Sequence, residues 1–356
     1  MTDLATAPRP AAVRSIQHPR LPRHAPLIAI VVALAAAALL GLTLGWGLAP
    51  IVIVAALIYL VGLTVWSRVV ENARAATDRL VTSLVWVALA VALTPLISLL
   101  WKVVAEGAPA INSRFLTYSM RNVVGEPGGI YHAIIGTLLI TLAATVIAVP
   151  IGLLSAVYLV EYGGSSRLAS WIRFLVDVMT GIPSIVAGLF AYALFSLIIG
   201  PGTQFGIGGG VALSILMIPI VVRSSEEMLK LVPSDLREAA WALGVPKWKT
   251  ILKVVIPTAM AGIITGVTLA IARVIGETAP LLIIAGATDS VNTNLFGGQM
   301  SSLPVFIYSS YTQPGSDPEI LREMAWGAAL VLIVIVMGLN ILARLLGKLF
   351  SPKTGH

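Results

Sequence analysis

Apolar runs of about 20 residues, the length a helix needs to cross the ~30 Å hydrocarbon layer of a bilayer, restrict this chain more than any other feature. They fall at 25–46, 48–66, 80–101, 131–160, 174–199, 209–222, 254–277 and 320–346, the sixth being the shortest. With 58% hydrophobic and only 11% charged residues, the remainder cannot cover such runs in a water-soluble core. An all-α integral membrane protein with eight spans is therefore expected. Gly45-Trp46-Gly47 and Ala49-Pro50 make a tight break between the first two runs, which read as a helical hairpin. Pro150 predicts a kink in the fourth.

Charge orients the spans. If the N-terminal segment is cytoplasmic, 18 of the 23 Lys and Arg lie inside, and only Lys102, Arg114 and Arg121 fall in outer loops. That is a strong positive-inside bias, so the net charge of +7 needs no nucleic acid to explain it. The expected organisation is a disordered basic cytoplasmic tail over 1–24, whose four arginines and scarce large apolar residues cannot support a core. A transmembrane hairpin over 25–66 follows, then the third span and an outer loop over 67–130. A transmembrane core over 131–346 contains the cytoplasmic loop 224–257, and a cytoplasmic C-terminal tail covers 347–356. The outer stretch 281–319 mixes apolar pieces with Asn, Gly and Ser. It reads as a segment that dips into the membrane, caps a cavity or receives an extracytoplasmic partner.

The longest polar interruption runs from Ser224 to Lys253 and leads into Val254-Val255-Ile256-Pro257. Pro233 closes one helix, because the residue before proline is pushed out of the α region. Ser234 and Asp235 are placed to cap a second, in which Leu236, Ala239, Ala240 and Leu243 share one face. Gly244 can end that helix and Pro246 begin the next. An amphipathic helix resting on the membrane surface would have the same pattern. Glu238-Ala239-Ala240, three residues, Gly244, nine residues, then Val254-x-Ile256-Pro257 resembles the EAA loop of bacterial ABC importer permeases, with Val and Ile where Ile and Leu are commoner. That resemblance implies that Asp235, Glu238, Ala239, Ala240, Leu243, Gly244 and Pro257 belong to an element that docks onto a cytoplasmic ATPase.

Arg273 lies inside the seventh run, where an arginine costs about 2.5–3.5 kcal/mol at a helix centre. Two readings stand open. Glu277, one turn on, can form an internal ion pair, although arginine preceding glutamate is the poorer order on a helix. Alternatively Arg273 lines a polar pathway and offers its planar fork to an oxyanion, with Glu277 positioning it or accepting a proton. Phosphate at neutral pH carries both acceptors and a hydroxyl; sulfate has no proton to give. Of the other polar residues, Asp177 reads as a helix-end or interface residue. Gly181 and Pro183 mark a local break facing the bundle interior, and Gly206, Gly208, Gly209 and Gly210 read as an outer turn. The chain has no cysteine and its four histidines are scattered, so a metal cluster is not expected.

The run Ala272-Arg273-Val274-Ile275-Gly276-Glu277-Thr278-Ala279-Pro280-Leu281 resembles the signature of the PstA family of phosphate ABC transporter permeases. Gly181-Ile182-Pro183-Ser184-Ile185-Val186-Ala187-Gly188-Leu189-Phe190, Gly129-Ile130-Tyr131-His132, Tyr158-Leu159-Val160-Glu161-Tyr162 and Ser302-Leu303-Pro304-Val305 support it. The likeness covers about 80–346. It implies a type I ABC importer permease fold, a six-span core to which the hairpin 25–66 is an addition. It also implies a substrate pathway at Arg273, Glu277 and Thr278. The implied partners are a second related permease, a cytoplasmic ATPase dimer and an extracytoplasmic phosphate-binding protein, in the bacterial cytoplasmic membrane with both termini inside. No GxxxxGK[ST] pattern occurs, so ATP and magnesium would be bound by the partner ATPase and the chain is not expected to be an enzyme. A permease for sulfate, molybdate or phosphonate would keep the same loop, and a secondary anion transporter would need no ATPase.

Overall fold

The computed structural model describes residues 20–123, 128–315 and 317–350, and among them finds helices and turns without a strand. Most of the expected tail 1–24, the loop residues 124–127 and the terminal residues 351–356 lie outside this set. Among the described residues seven helices are long and apolar enough to cross a membrane, and a sharply bent helix pair would supply an eighth. The chain forms two compact units, Met1–Leu100 and Trp101–His356.

In the first unit, α1 (Ala25–Leu44) and α2 (Leu48–Val70) form the expected hairpin. Gly45 ends α1 at φ +65°, a conformation that costs glycine little. The small residues Ala33, Ala37 and Gly41 are buried along α1, and a Cβ on Gly41 would lie 2.4 Å from the Ile51 side chain. The stretch 67–79, expected as a cytoplasmic loop, is instead mostly helical, since α2 runs to Val70 and α3 (Ala73–Gly107) starts three residues later. Glu71 makes so short a turn possible. Its carboxylate accepts from Ser67 Oγ at 2.7 Å, from the Leu21 N–H at 2.8 Å and from Arg79 Nε and Nη2, both at 2.8 Å. Chiefly through the Arg79 hydrogen bond, and against the effect of burial, the carboxyl is held at about 2 instead of 4.5.

In the second unit, α3 extends past the expected span end to Gly107 and is followed by α4 (Ser113–Thr117). Helix α5 (Tyr131–Val157) ends in a π turn at Tyr158–Tyr162. The run expected as one span over 174–199 is two helices, α6 (Arg167–Thr180) and α7 (Ser184–Ile198), bent by 111° at the Gly181–Pro183 break. Pro183 cannot continue a helix and holds an extended φ, ψ of −60°, 139°. The short sixth run becomes the 25-residue α8 (Gly206–Lys230), which carries Pro219 in its interior.

Gly206, Gly208, Gly209 and Gly210 are not an outer turn. They form the first turns of α8 and are buried. A Cβ on Gly210 would sit 2.9 Å from Ala143 Cβ of α5, and one on Gly152 of α5 would sit 2.6 Å from Val221 of α8. Where lipid tails are as apolar as leucine, such close backbone approach supplies the packing that drives helices together. Around this contact lies the main core, with Ile140 and Ala144 of α5 against Leu213 and Met217 of α8.

Beyond α8 come α9 (Ser234–Ala242) and α10 (Lys247–Thr250), then a π turn at Ile251–Val255 that leads into α11 (Ile256–Val274). Pro257 sits in the first turn of α11, where its missing N–H leaves the preceding backbone to widen into the π turn. The stretch 281–319 contains α12 (Ala279–Ile284) and α13 (Leu303–Thr312). Leu281, Ala285, Met300 and Val305 of this stretch belong to the main core, so it folds back into the bundle. Helix α14 (Pro318–Phe350) completes the unit.

Two outcomes follow. Gly152→Val should lower thermal stability in detergent by about 1–3 kcal/mol through overpacking, whereas Gly62→Ala, inside α2 with a Cβ that would meet nothing within 4 Å, should not lower it. Because Glu71 has a depressed pKa, its stabilising contribution is present above about pH 4.5 and is lost as pH falls towards 2; melting curves of Glu71→Gln should lack that acid-sensitive component.

Candidate functional site

The break between α6 and α7 opens onto a cavity of about 190 Å3 in the second unit. Thr180, Ile182 and Ser184 line it from the break, Pro219 and Ile220 from α8, and Arg273 and Glu277 from the end of α11. The structure thus brings the Gly181–Pro183 break and Arg273, nearly a hundred positions apart, to one place. The α11 helix stops at Val274, so Glu277 lies in the turn beyond it, its N–H donating to the Val274 carbonyl at 3.1 Å. Glu277 is therefore not one helical turn from Arg273, and the two form no ion pair within 4 Å among the described residues. Gly276 and Pro280 account for the early stop, since neither favours continuing the helix.

Arg273 is exposed on the single chain and makes no side-chain hydrogen bond among the described residues. Ser184 likewise has its hydroxyl free, while Thr180 Oγ1 donates to the Asp177 carbonyl at 2.6 Å and keeps its acceptor lone pairs. A guanidinium fork, a hydroxyl and a carboxylate around a small cavity can bind a tetrahedral oxyanion and accept a hydrogen bond from its hydroxyl. Thr278 faces elsewhere. It lines a separate cavity of about 410 Å3 with Gly276, Pro304, Tyr308 and Trp326.

Next to this cavity, α6 and α8 are tied by charge. Asp177 pairs with Arg223, which makes it the interface residue the sequence suggested. Glu226, 2% exposed, is surrounded by Lys230 at 2.8 Å, Arg173 at 3.4 Å and Arg223 at 3.5 Å. A buried carboxylate without these cations would carry a large desolvation cost.

On α9, the side chains of Asp235, Glu238, Ala239 and Leu243 are exposed and Ala240 is buried. The expected cap by Ser234 and Asp235 does not form. Pro233 is the cap residue, Ser234 is already helical, and its hydroxyl contacts only Asp235 at 3.4 Å. Gly244 ends the helix as expected, at φ +73°, with its N–H donating to the Trp241 carbonyl at 2.9 Å. From Lys247 to Val274 the chain is one continuous helix, so the loop connects directly to Arg273, though not to Glu277.

What fastens α9 to the bundle is a residue pair that no local pattern would join. Arg237 donates to Glu161 Oε1 from Nε at 3.0 Å and from Nη2 at 2.8 Å, and to the Leu229 and Val232 carbonyls at 3.0 and 2.6 Å. Lys247 stands 4.8 Å from the Tyr162 ring centre and donates to the Glu161 carbonyl. The π turn Tyr158–Tyr162 is thus the seat of α9. Leu243, 83% exposed, and the nearby Trp241 and Trp248 are left uncovered among the described residues.

Residues 148–356 match the family described as binding-protein-dependent transport system inner membrane component. The phosphate transport system permease protein PstA 1 of Mycobacterium tuberculosis is 48% identical over 268 residues, covering 74% of this chain and 86% of that one. The phosphate transport system permease protein PstA of Pasteurella multocida is 39% identical over 274 residues, 77% and 95% of the two chains. In fold, the chain is similar to a solved bacterial alginate ABC transporter in complex with its alginate pentasaccharide-bound periplasmic protein, with TM-score 0.55, 14% identity, and coverage of 79% and 97%. With most of their length shared and the α6–α7 break, α9 and the α11 end all inside the matched region, the chain belongs to the binding-protein-dependent transport system inner membrane components, among the PstA permeases.

Proposed function

We propose that this chain is the transmembrane permease subunit of an ATP-driven importer that carries inorganic phosphate across the bacterial cytoplasmic membrane, with both termini inside. The observation that carries this reading is Arg273: a cation in the last turn of an apolar helix, exposed, unpaired, and facing a cavity with Glu277 and Ser184. The relatives named for phosphate transport support the same substrate. In lipid an exposed guanidinium has to face water or a partner, and the reading supplies both: a second, related permease closes the other side of the route. An extracytoplasmic phosphate-binding protein delivers the anion. A cytoplasmic ATPase dimer, which binds the ATP and magnesium, receives the uncovered Leu243 and Trp241 surface.

Transport then follows from a few steps by the chain's own residues. Arg273 attracts and orients phosphate through two parallel N–H donors. Glu277 takes the hydrogen bond of the phosphate hydroxyl, which sulfate cannot give. Closure of the ATPase dimer pushes α9. That push reaches Arg273 through the continuous helix 247–274 and reaches α5 through the Arg237–Glu161 pair.

In cells expressing the whole complex, Arg273→Gln should reduce phosphate uptake roughly tenfold to a hundredfold, the loss of one charge-assisted contact of about 1.5–3 kcal/mol, while the subunits still co-purify. Arg273→Lys should restore only part of it, because a point charge lacks the fork. Normal uptake in Arg273→Gln would refute the role. Arg237→Ala leaves Glu161 buried and unpaired, at about 3–5 kcal/mol, and should reduce phosphate-stimulated ATP hydrolysis more than basal hydrolysis; equal effects on both would show that the pair has no part in coupling.

A further inference from the structure

The first unit holds two adjoining cavities, of about 690 and 500 Å3, which share Pro26, Tyr59 and Trp86. They differ in chemistry. The larger is bounded by Arg20, Asn72, Arg74, Asp78 and Ser83, at the ends of α2 and α3. The smaller runs along the helices between Ile30, Leu34, Val52 and Val87, an apolar trough. Tyr59 and Trp86 stand where the two meet, each combining an apolar ring with a polar group. Arg79 is occupied by Glu71, in a pair that is neutral by itself. Arg20 and Arg74 form no ion pair among the described residues, so against Asp78 they leave a surplus positive charge at the polar end.

We infer that these joined cavities bind one anionic glycerophospholipid, its phosphodiester between Arg20 and Arg74 and an acyl chain in the trough. A free phosphate would need only the first cavity, and an apolar protein segment only the second. A polar chamber opening into an apolar groove matches an amphiphile with both parts. The excess of arginine over carboxylate selects an anionic headgroup over a zwitterionic one. Asn72 and Ser83 offer partners for headgroup hydroxyls, although Asn72 Oδ1 already accepts the Ala75 N–H at 2.8 Å and the Ser83 hydroxyl lies 3.4 Å from Tyr59 Oη. The addition 25–66 would then act as a lipid-bound element of the complex, distinct from the route at Arg273.

The test uses the complete complex in nanodiscs containing equal phosphatidylglycerol and phosphatidylethanolamine, followed by detergent exchange and quantification of the retained lipid. Retention of phosphatidylglycerol in preference to phosphatidylethanolamine is expected, with retention falling about fivefold for each of Arg20→Gln and Arg74→Gln. Val52→Trp, which fills the trough and leaves both arginines intact, should also release it. Co-purification of the partner subunits confirms that each variant is folded. Equal retention of the two lipids, or retention unchanged in the Arg20→Gln/Arg74→Gln pair or in Val52→Trp, would overturn the inference, whatever the outcome for phosphate transport.

Discussion

A bilayer core offers no water to backbone groups, so any place where a membrane helix breaks must be sheltered by protein or must open onto a polar cavity. This chain interrupts two apolar helices in its second unit, α6–α7 at Gly181–Pro183 and α11 at Ile275–Thr278. Both breaks border one cavity with Arg273. Helix α8 makes the arrangement possible. Its glycines let α5 and α12 approach closely, and its Pro219 forms part of the cavity wall. The polar site therefore depends on an apolar, glycine-mediated fit for its position.

The same dependence extends to α9. Its contact with the bundle is polar where the core's is apolar: Arg237 holds Glu161 and two main-chain carbonyls at once. Such a pair is directional, which suits the proposed coupling: movement of α9 would be passed on as a displacement instead of being absorbed by sliding. Behind it, Leu229, Val232, Ile251 and Val255 form a compact apolar cluster with Ala156 and Val157, joining the ends of α5, α8 and α11.

Much of this was legible in the sequence. Span length and the Gly45–Pro50 break located the hairpin, and Gly244 ended α9 where its spacing placed it, because a left-handed residue after a helix is a local requirement. The bend at Gly181–Pro183 was visible as a break, but its 111° angle was not, since apolar content reads the same in one straight span and two bent helices. The glycines at 206–210 were misread because composition cannot tell a turn from a helix face crowded by its neighbour. Glu277 lost its helical spacing from Arg273 because α11 ends at Val274. The pairs Arg237–Glu161 and Arg173–Glu226 join positions 76 and 53 residues apart, and no local pattern signals either.

On the proposed function, Arg273 also bears on assembly. By itself the chain exposes the Arg273 guanidinium in the last turn of an apolar helix, and an arginine at the centre of a membrane helix costs about 2.5–3.5 kcal/mol. In the proposed complex a companion permease would remove that cost by enclosing the charge in a wet route. On that reading the residue proposed to meet the cargo would also penalise an orphan subunit, so that the membrane itself would favour the assembled complex.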